Sequence, residues 1–176
     1  MTEIILRPAV QADIGPIEKS YSDLFTLQER TVNHTNWQRG VYPTRAVAEG
    51  ALSRGELYVA EDGEGFIAGV ILNSFQPEAY WEMPWEYPAA PEKVLVIHTL
   101  CLSPGRFGAG LGKKTVELIK DFARQGGFEV IRLDTYVKNF PAHALYYGRG
   151  FELTGRKKVL HEGVLPSELL YMEYKL

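Results

Sequence analysis

Residues 94–114 read VLVIHTLCLSPGRFGAGLGKK, and further along residues 139–151 read NFPAHALYYGRGF. The first stretch opens with Val94–Leu102, a continuous, partly β-branched run that suits a strand buried on both faces, and Ser103-Pro104-Gly105 stops it. A glycine-rich turn follows at once. It leads into Leu111–Arg124, whose apolar positions Leu111, Val116, Ile119 and Phe122/Ala123 recur at helical spacing until Gly126-Gly127 ends the run. Strand, glycine loop, helix is the order that aims backbone N–H groups and the positive helix end at an anion. Gly108, Gly110 and Gly112 remove the Cβ atoms that would block close approach, while Lys113 and Lys114 add charge suited to a pyrophosphate.

Two nucleotide motifs fail on this loop. A Walker A loop needs Gly, four residues, then Gly-Lys-Ser/Thr, but Gly112-Lys113 is followed by Lys114 and the upstream glycine position holds Phe107. The dinucleotide pattern G-x-G-x-x-G fails because its third glycine falls on Lys113 or Thr115. A kinase-like reading is thereby disfavoured. The glycines equally suit a tight turn with no ligand, so the loop alone decides nothing.

The second stretch supplies independent information. Asn139 is a good helix N-cap, and Tyr146 follows about two turns later, which puts an amide and a phenol on nearly the same helical face. Gly150 is placed to end the helix in a left-handed conformation, with Phe151 packing back against it. Taken alone, these residues also suit plain structure, with Asn139 as a cap and Tyr146 as a core aromatic.

Around these stretches the chain reads as one mixed α/β domain over residues 1–176, without repeats or low-complexity tracts. A first strand at Ile4–Leu6 is followed by a helix capped by Asp13, then a helix over Thr44–Leu52 and a hairpin from Glu56–Glu61 and Phe66–Leu72. Residues 73–93 hold Pro77, Pro84, Pro88 and Pro91 among five aromatics and read as a long loop. Strands are expected over Val130–Val137 and near Arg156–Leu160 and Leu169–Leu176. With 45% hydrophobic and 23% charged residues the composition is that of an ordinary globular chain. A formal charge of -3 gives nucleic-acid or anionic-membrane binding no support. The single Cys101 excludes an internal disulfide and a multi-cysteine zinc site, and no metal-ligand spacing joins the histidines to carboxylates. No apolar run exceeds four residues, so neither a signal peptide nor a span of about 20 residues is expected, and the chain reads as soluble and cytoplasmic.

Together the two stretches resemble the GNAT N-acetyltransferase superfamily, whose signature is a strand, then Q/R-x-x-G-x-G/A, a helix and a strand, then N-x-x-A-x-x-L-Y-x-x-x-G-F. The second element matches throughout at Asn139, Ala142, Leu145, Tyr146, Gly150 and Phe151. The first matches at Gly110 and Gly112 but has Phe107 at the leading Gln/Arg position, with Arg106 one place early. The resemblance is specific over residues 94–151 and weaker at Ile5-Leu6-Arg7-Pro8 and Leu170-Tyr171-Met172-Glu173. It implies a mostly antiparallel twisted sheet of about seven strands, flanked by helices, with a splayed fourth and fifth strand pair.

The resemblance further implies acetyl-CoA as cosubstrate, no metal, and acetyl transfer to a primary amine of a small molecule or peptide by direct attack in a ternary complex. It also allows a homodimer. The pantetheine arm would run beside Leu100, Cys101 and Leu102 as an added strand. The pyrophosphate would sit on the amides of Phe107, Gly108, Ala109, Gly110, Leu111, Gly112 and Lys113, with Asn139 near the pantetheine. Tyr146 would be the proton donor to the departing sulfur. Because amines of this kind are protonated at neutral pH, a base is needed, and His98 is the candidate, on the same strand parity as Leu100 and Leu102 and opposite to Cys101. A buried structural histidine is the competing reading of His98. Trp81, Glu82 and Trp85 of the long loop suggest an aromatic, acidic wall for the acceptor, with Trp37 and Tyr42 as further contributors. A different class of function, a non-catalytic acyl-CoA-binding regulatory module, also satisfies the loop.

Overall fold

The computed structural model describes residues 3–176. In chain order it contains β1 (Ile5–Pro8), α1 (Ile14–Arg30), α2 (Arg45–Ser53), β2 (Leu57–Asp62), β3 (Gly65–Asn73), β4 (Val94–Leu102), α3 (Leu111–Gln125), β5 (Val130–Tyr136), α4 (Phe140–Tyr147), β6 (Glu152–His161) and β7 (Leu165–Lys175). The seven strands form one sheet in the order β1-β2-β3-β4-β5-β7-β6, in which β4 and β5 run parallel and every other neighbouring pair is antiparallel.

The alternation within β4 shows why its run is continuous in apolar residues. Leu95 and Ile97 join Val116, Ile119 and Ala123 of α3 on one face, whereas Val94 and Val96 join Tyr80 and Tyr171 on the other. Residues two apart along a strand share a face, so a strand between two layers needs apolar side chains at every position. On the second face α1 and α2 pack through Ile14, Ile17, Tyr21, Ala48 and Ala51 over Leu57, Val59 and Ile71.

Two local readings are corrected by the structure, and a third is extended. Asp13 precedes α1 without capping it: its carboxylate accepts from Val10 N at 2.7 Å and pairs with Arg7 at 2.7 Å, so it closes a short 3-10 turn, Gln11–Asp13, instead. The last two strands are longer than expected because they form one hairpin, β6 to β7, each satisfying the other's backbone. Residues 73–93 do lack a long element, yet they are strapped to the sheet. Buried Arg132 donates to Gln76 Oε1 at 2.7 Å and to the carbonyl of Tyr87 at 3.0 Å, while buried Glu173 accepts from the Glu86 amide at 2.7 Å. These two charges face each other across β5 and β7, and the loop supplies the partners that make their burial tolerable.

The feature that positions the site is where β4 and β5 part. Their pairing covers Val94–Ile97 against Val130–Leu133 and goes no further, although both strands continue. His98 and Asp134 are therefore the first residues on either side of the opening. On its other side β4 carries a bulge: Ile71 pairs with His98 and Gly69 with Cys101, so Thr99 and Leu100 of β4 stand against Val70 alone of β3, with Thr99 at φ 50°.

Candidate active site

The bulge overturns the strand parity read from the sequence. Residues directly opposed in an antiparallel ladder share a face, so His98 and Cys101 both lie on the α1 side, with Ile71 and the α1-facing Gly69. Leu100 and Leu102 pack with Leu111 on the α3 side. The extra residue at Thr99 flips everything after it. Cys101 is still no partner for His98: it is 1% exposed, contacts Ser20 Oγ at 3.7 Å, and burial pushes its thiol up to about 12.

A cavity of about 690 Å³ fills the opening between the strands. The β5-facing edge of β4 from His98 to Leu102 has no strand beside it and lines this space. At one end lies the glycine loop. Gly108 and Gly110 adopt φ of 88° and 72°, the left-handed region in which a side chain is strained, and a Cβ on either would meet nothing within 4 Å. Their requirement is conformational. Gly112 is different: a Cβ there would come within 3.2 Å of Leu102 Cδ2, so its absence lets α3 sit close to β4. The first backbone bond of α3 runs from Lys114 N to Gly110 O at 3.2 Å, which leaves the amides just before it free to meet an anion. Arg106 is not free for a phosphate, because Asp62 Oδ2 holds it at 2.7 Å and so anchors the loop to the β2–β3 turn.

Of the residues expected to hold the cofactor, Leu100, Cys101, Leu102, Phe107, Gly108, Gly110, Leu111, Gly112, Lys113 and Asn139 line the cavity, and Ala109 does not. Asn139 caps α4 by accepting from Ala142 N at 3.3 Å. Tyr146 is 6% exposed, packs edge-on against Phe151 and lines the same cavity. Burial raises its pKa well above the usual tyrosine value, and the field of Asp134 adds to the rise, so the phenol keeps its proton.

The opposite end is built from scattered segments. Tyr42, Thr99, Asp134, His161 and Glu162 line it, together with Trp37. Tyr42 hydrogen-bonds Thr99 Oγ1 and meets the His161 ring edge-on at 5.3 Å. Asp134 accepts from the buried Tyr80 hydroxyl at 2.8 Å through Oδ2, while its Oδ1 faces His161 Nε2 at 3.7 Å. His98 also lines the cavity. Asn73 Oδ1 accepts the Phe75 amide at 3.0 Å, which identifies that atom as oxygen, so the His98 Nε2 lying 2.9 Å from it is the N–H. Burial lowers the His98 pKa below 6.5 and keeps the ring neutral.

Trp81, Glu82 and Trp85 are not brought to the cavity. Trp81 is 63% exposed and Glu82 pairs with Lys157. The Trp85 indole donates to the Tyr80 carbonyl at 2.7 Å, and the Arg132 guanidinium lies over its ring at 4.2 Å. Glu82 and Trp85 fasten the loop, and Trp81 points to solvent. The residues the sequence reading missed are Asp134 and His161. Asp134 had a signal, a lone carboxylate after Ile131-Arg132-Leu133 in a buried strand, where a charge demands a reason. His161, at the end of a hairpin strand, had none.

A splayed parallel pair, an anion-ready helix start and a buried phenol open on one cavity, and comparison with known proteins gives the family. The sequence matches the acetyltransferase (GNAT) family over residues 20–151, and the chain belongs to it. It is 30% identical over 103 residues to N-acetyltransferase family 8 member 2 of Rattus norvegicus, a match covering 58% of this chain and 41% of that protein. The chain thus corresponds to less than half the length of that relative. Among solved structures, a GNAT-family acetyltransferase of Streptococcus agalactiae superposes with TM-score 0.81 at 16% identity, covering 98% of this chain and 95% of its own. An acetyltransferase structure from Salmonella typhimurium, solved with its cofactor acetyl-CoA, superposes with TM-score 0.65 at 19% identity over 98% of this chain and 94% of its own. No helix among the described residues is long and apolar enough to cross a membrane.

Proposed function

We propose that this protein transfers an acetyl group from acetyl-CoA to a primary amine of a small molecule or peptide by direct attack in a ternary complex. The observation that carries this reading is the single cavity that joins the free edge of β4, the amides at the start of α3 and the phenol of Tyr146. The free β4 edge offers backbone groups to the pantetheine amides, and the left-handed glycines open the loop to the pyrophosphate. Bound acetyl-CoA supplies the activated acyl group and a thiolate leaving group.

Tyr146 then hands its proton to the departing sulfur, a role suited to a phenol held neutral by burial. The attacking amine has to lose a proton first, and the base is an imidazole on the cavity wall, with His98 as the candidate from its place on β4; His161 and His34 line the same cavity. The test is a thiol-release assay with acetyl-CoA over polyamines, amino acids, aminoglycosides and peptides. Release with one amine class supports the reading. Tight CoA binding without transfer to any amine would instead favour a non-catalytic acyl-CoA-binding module.

A further inference from the structure

We propose that His161, held by Asp134 and Glu162, is the base that deprotonates the acceptor, and that the acceptor accordingly binds as a cationic ammonium at this end of the cavity. The inference deepens the acetyl-transfer reading and rests on it. Asp134 stands at the first position of β5 beyond the strand pairing, where the cavity opens. Its carboxylate is divided between two tasks. Oδ2 accepts the hydroxyl of Tyr80, a residue 1% exposed, and this fixes the group's orientation. Oδ1 is left facing His161 Nε2 at 3.7 Å, and Glu162 Oε1 lies 3.9 Å from the same nitrogen.

The groups facing His161 come from every side: Asp134 from β5, Glu162 from the β6–β7 turn and Tyr42 from the segment before α2. Both carboxylates stand on the Nε2 side, so the neutral ring carries its proton there and presents Nδ1 as the lone pair. Tyr42 holds the ring edge-on at 5.3 Å and is itself bonded to Thr99, at the β4 bulge next to Leu100. His161 is thereby tied to the strand edge along which the thioester would lie. His98 lacks these features. Its Nε2–H is spent on Asn73, and the field of Asp134 and Glu162 reaches it without either carboxylate coming within 4 Å, where both stand that close to His161.

The ammonium N–H passes its proton to His161 Nδ1, giving a neutral amine and an imidazolium whose second N–H faces the two carboxylates. The amine forms the C–N bond, the C–S bond breaks, and Tyr146 gives its proton to the sulfur and regains one from the nitrogen. The His161 proton leaves to solvent, so an ammonium and a thioester yield an amide, a thiol and one proton.

Two probes of similar size separate the proton transfer from everything else: benzylamine, protonated at neutral pH, and para-toluidine, neutral there. With acetyl-CoA, His161→Gln is expected to lose about 100-fold or more in kcat/KM for benzylamine and less than about threefold for para-toluidine, with the benzylamine loss shrinking as pH rises. Equal losses for both amines, or none for either, would overturn the assignment. A second measurement needs no turnover. Ring-nitrogen NMR shifts of neutral His161 should report the proton on Nε2 in the wild-type protein and a move toward the Nδ1–H tautomer in Asp134→Asn; an unmoved tautomer overturns the pairing with Asp134. If wild-type protein binds CoA yet acetylates neither amine, the acetyl-transfer reading is what fails, and the NMR result still decides the His161–Asp134 pair.

Discussion

Between Leu100 and Lys113 the cavity is walled by one continuous stretch of chain that offers mainly backbone groups, whereas its other end is assembled from Tyr42, Asp134 and His161, three side chains from separate segments. The first end depends on φ angles and on where a strand lacks a neighbour. It tolerates a change of side chain, which is why Phe107 in place of a Gln or Arg leaves the loop intact. The second end depends on the charge and hydrogen-bonding capacity of particular side chains. On the proposed reading the cosubstrate is met by backbone, and the acceptor by side chains on loops and hairpin ends.

The largest effect that would break this contrast is at the point where the two ends meet. Tyr146→Phe should lower turnover on the order of 100-fold or more while acetyl-CoA affinity changes by less than about threefold. Parallel losses in turnover and affinity, measured by steady-state kinetics and calorimetry, would make Tyr146 a binding residue. On the backbone side, Gly110→Val forces a β-branched residue to φ 72°, a conformation costing about 1–2 kcal/mol. The expected result is a loss of about tenfold or more in CoA affinity. On the side-chain side, Asp134→Asn should raise the KM for a cationic acceptor by about tenfold and leave CoA affinity unmoved, because it removes a negative charge from the end of the cavity proposed for the acceptor.

These expectations also mark what the sequence made legible. The β4–loop–α3 stretch and the Asn139–Tyr146 helix could be read because glycines, a cap and a tyrosine stand at fixed local spacings. Strand parity after His98 could not, since one inserted residue at Thr99 reverses it and a bulge has no signature in the residues themselves. Trp81, Glu82 and Trp85 looked like an acceptor wall because aromatic and acidic residues cluster there. Glu82 pairs with Lys157 and Trp85 with Arg132 and the Tyr80 carbonyl, and only the fold shows that the loop meets the site through Asn73 on His98 and the Tyr80 hydroxyl on Asp134.

Two smaller effects sharpen the comparison. Burial holds the His98 pKa below its usual 6.5, so the unfolded chain takes up that proton before the folded one does. His98 thus contributes stability that is present above about pH 6.5 and is lost as pH falls through its folded value. Urea unfolding of His98→Gln should show a shallower loss of stability between about pH 7.5 and about pH 5.5 than the wild type; an unchanged slope would contradict a neutral buried His98. Smallest of all, Trp81→Ala should alter acceptor KM by less than about twofold, and a rise beyond about fivefold would bring the loop back into the acceptor site.

The most direct test of the account is calorimetric titration of acetyl-CoA into the wild-type protein and into Gly110→Val. Binding in the micromolar range is expected for the wild type and weakening by about tenfold or more in the variant, with the fold retained. Absence of binding to the wild type, or equal affinity in both proteins, would contradict a cosubstrate site built from the backbone of this loop.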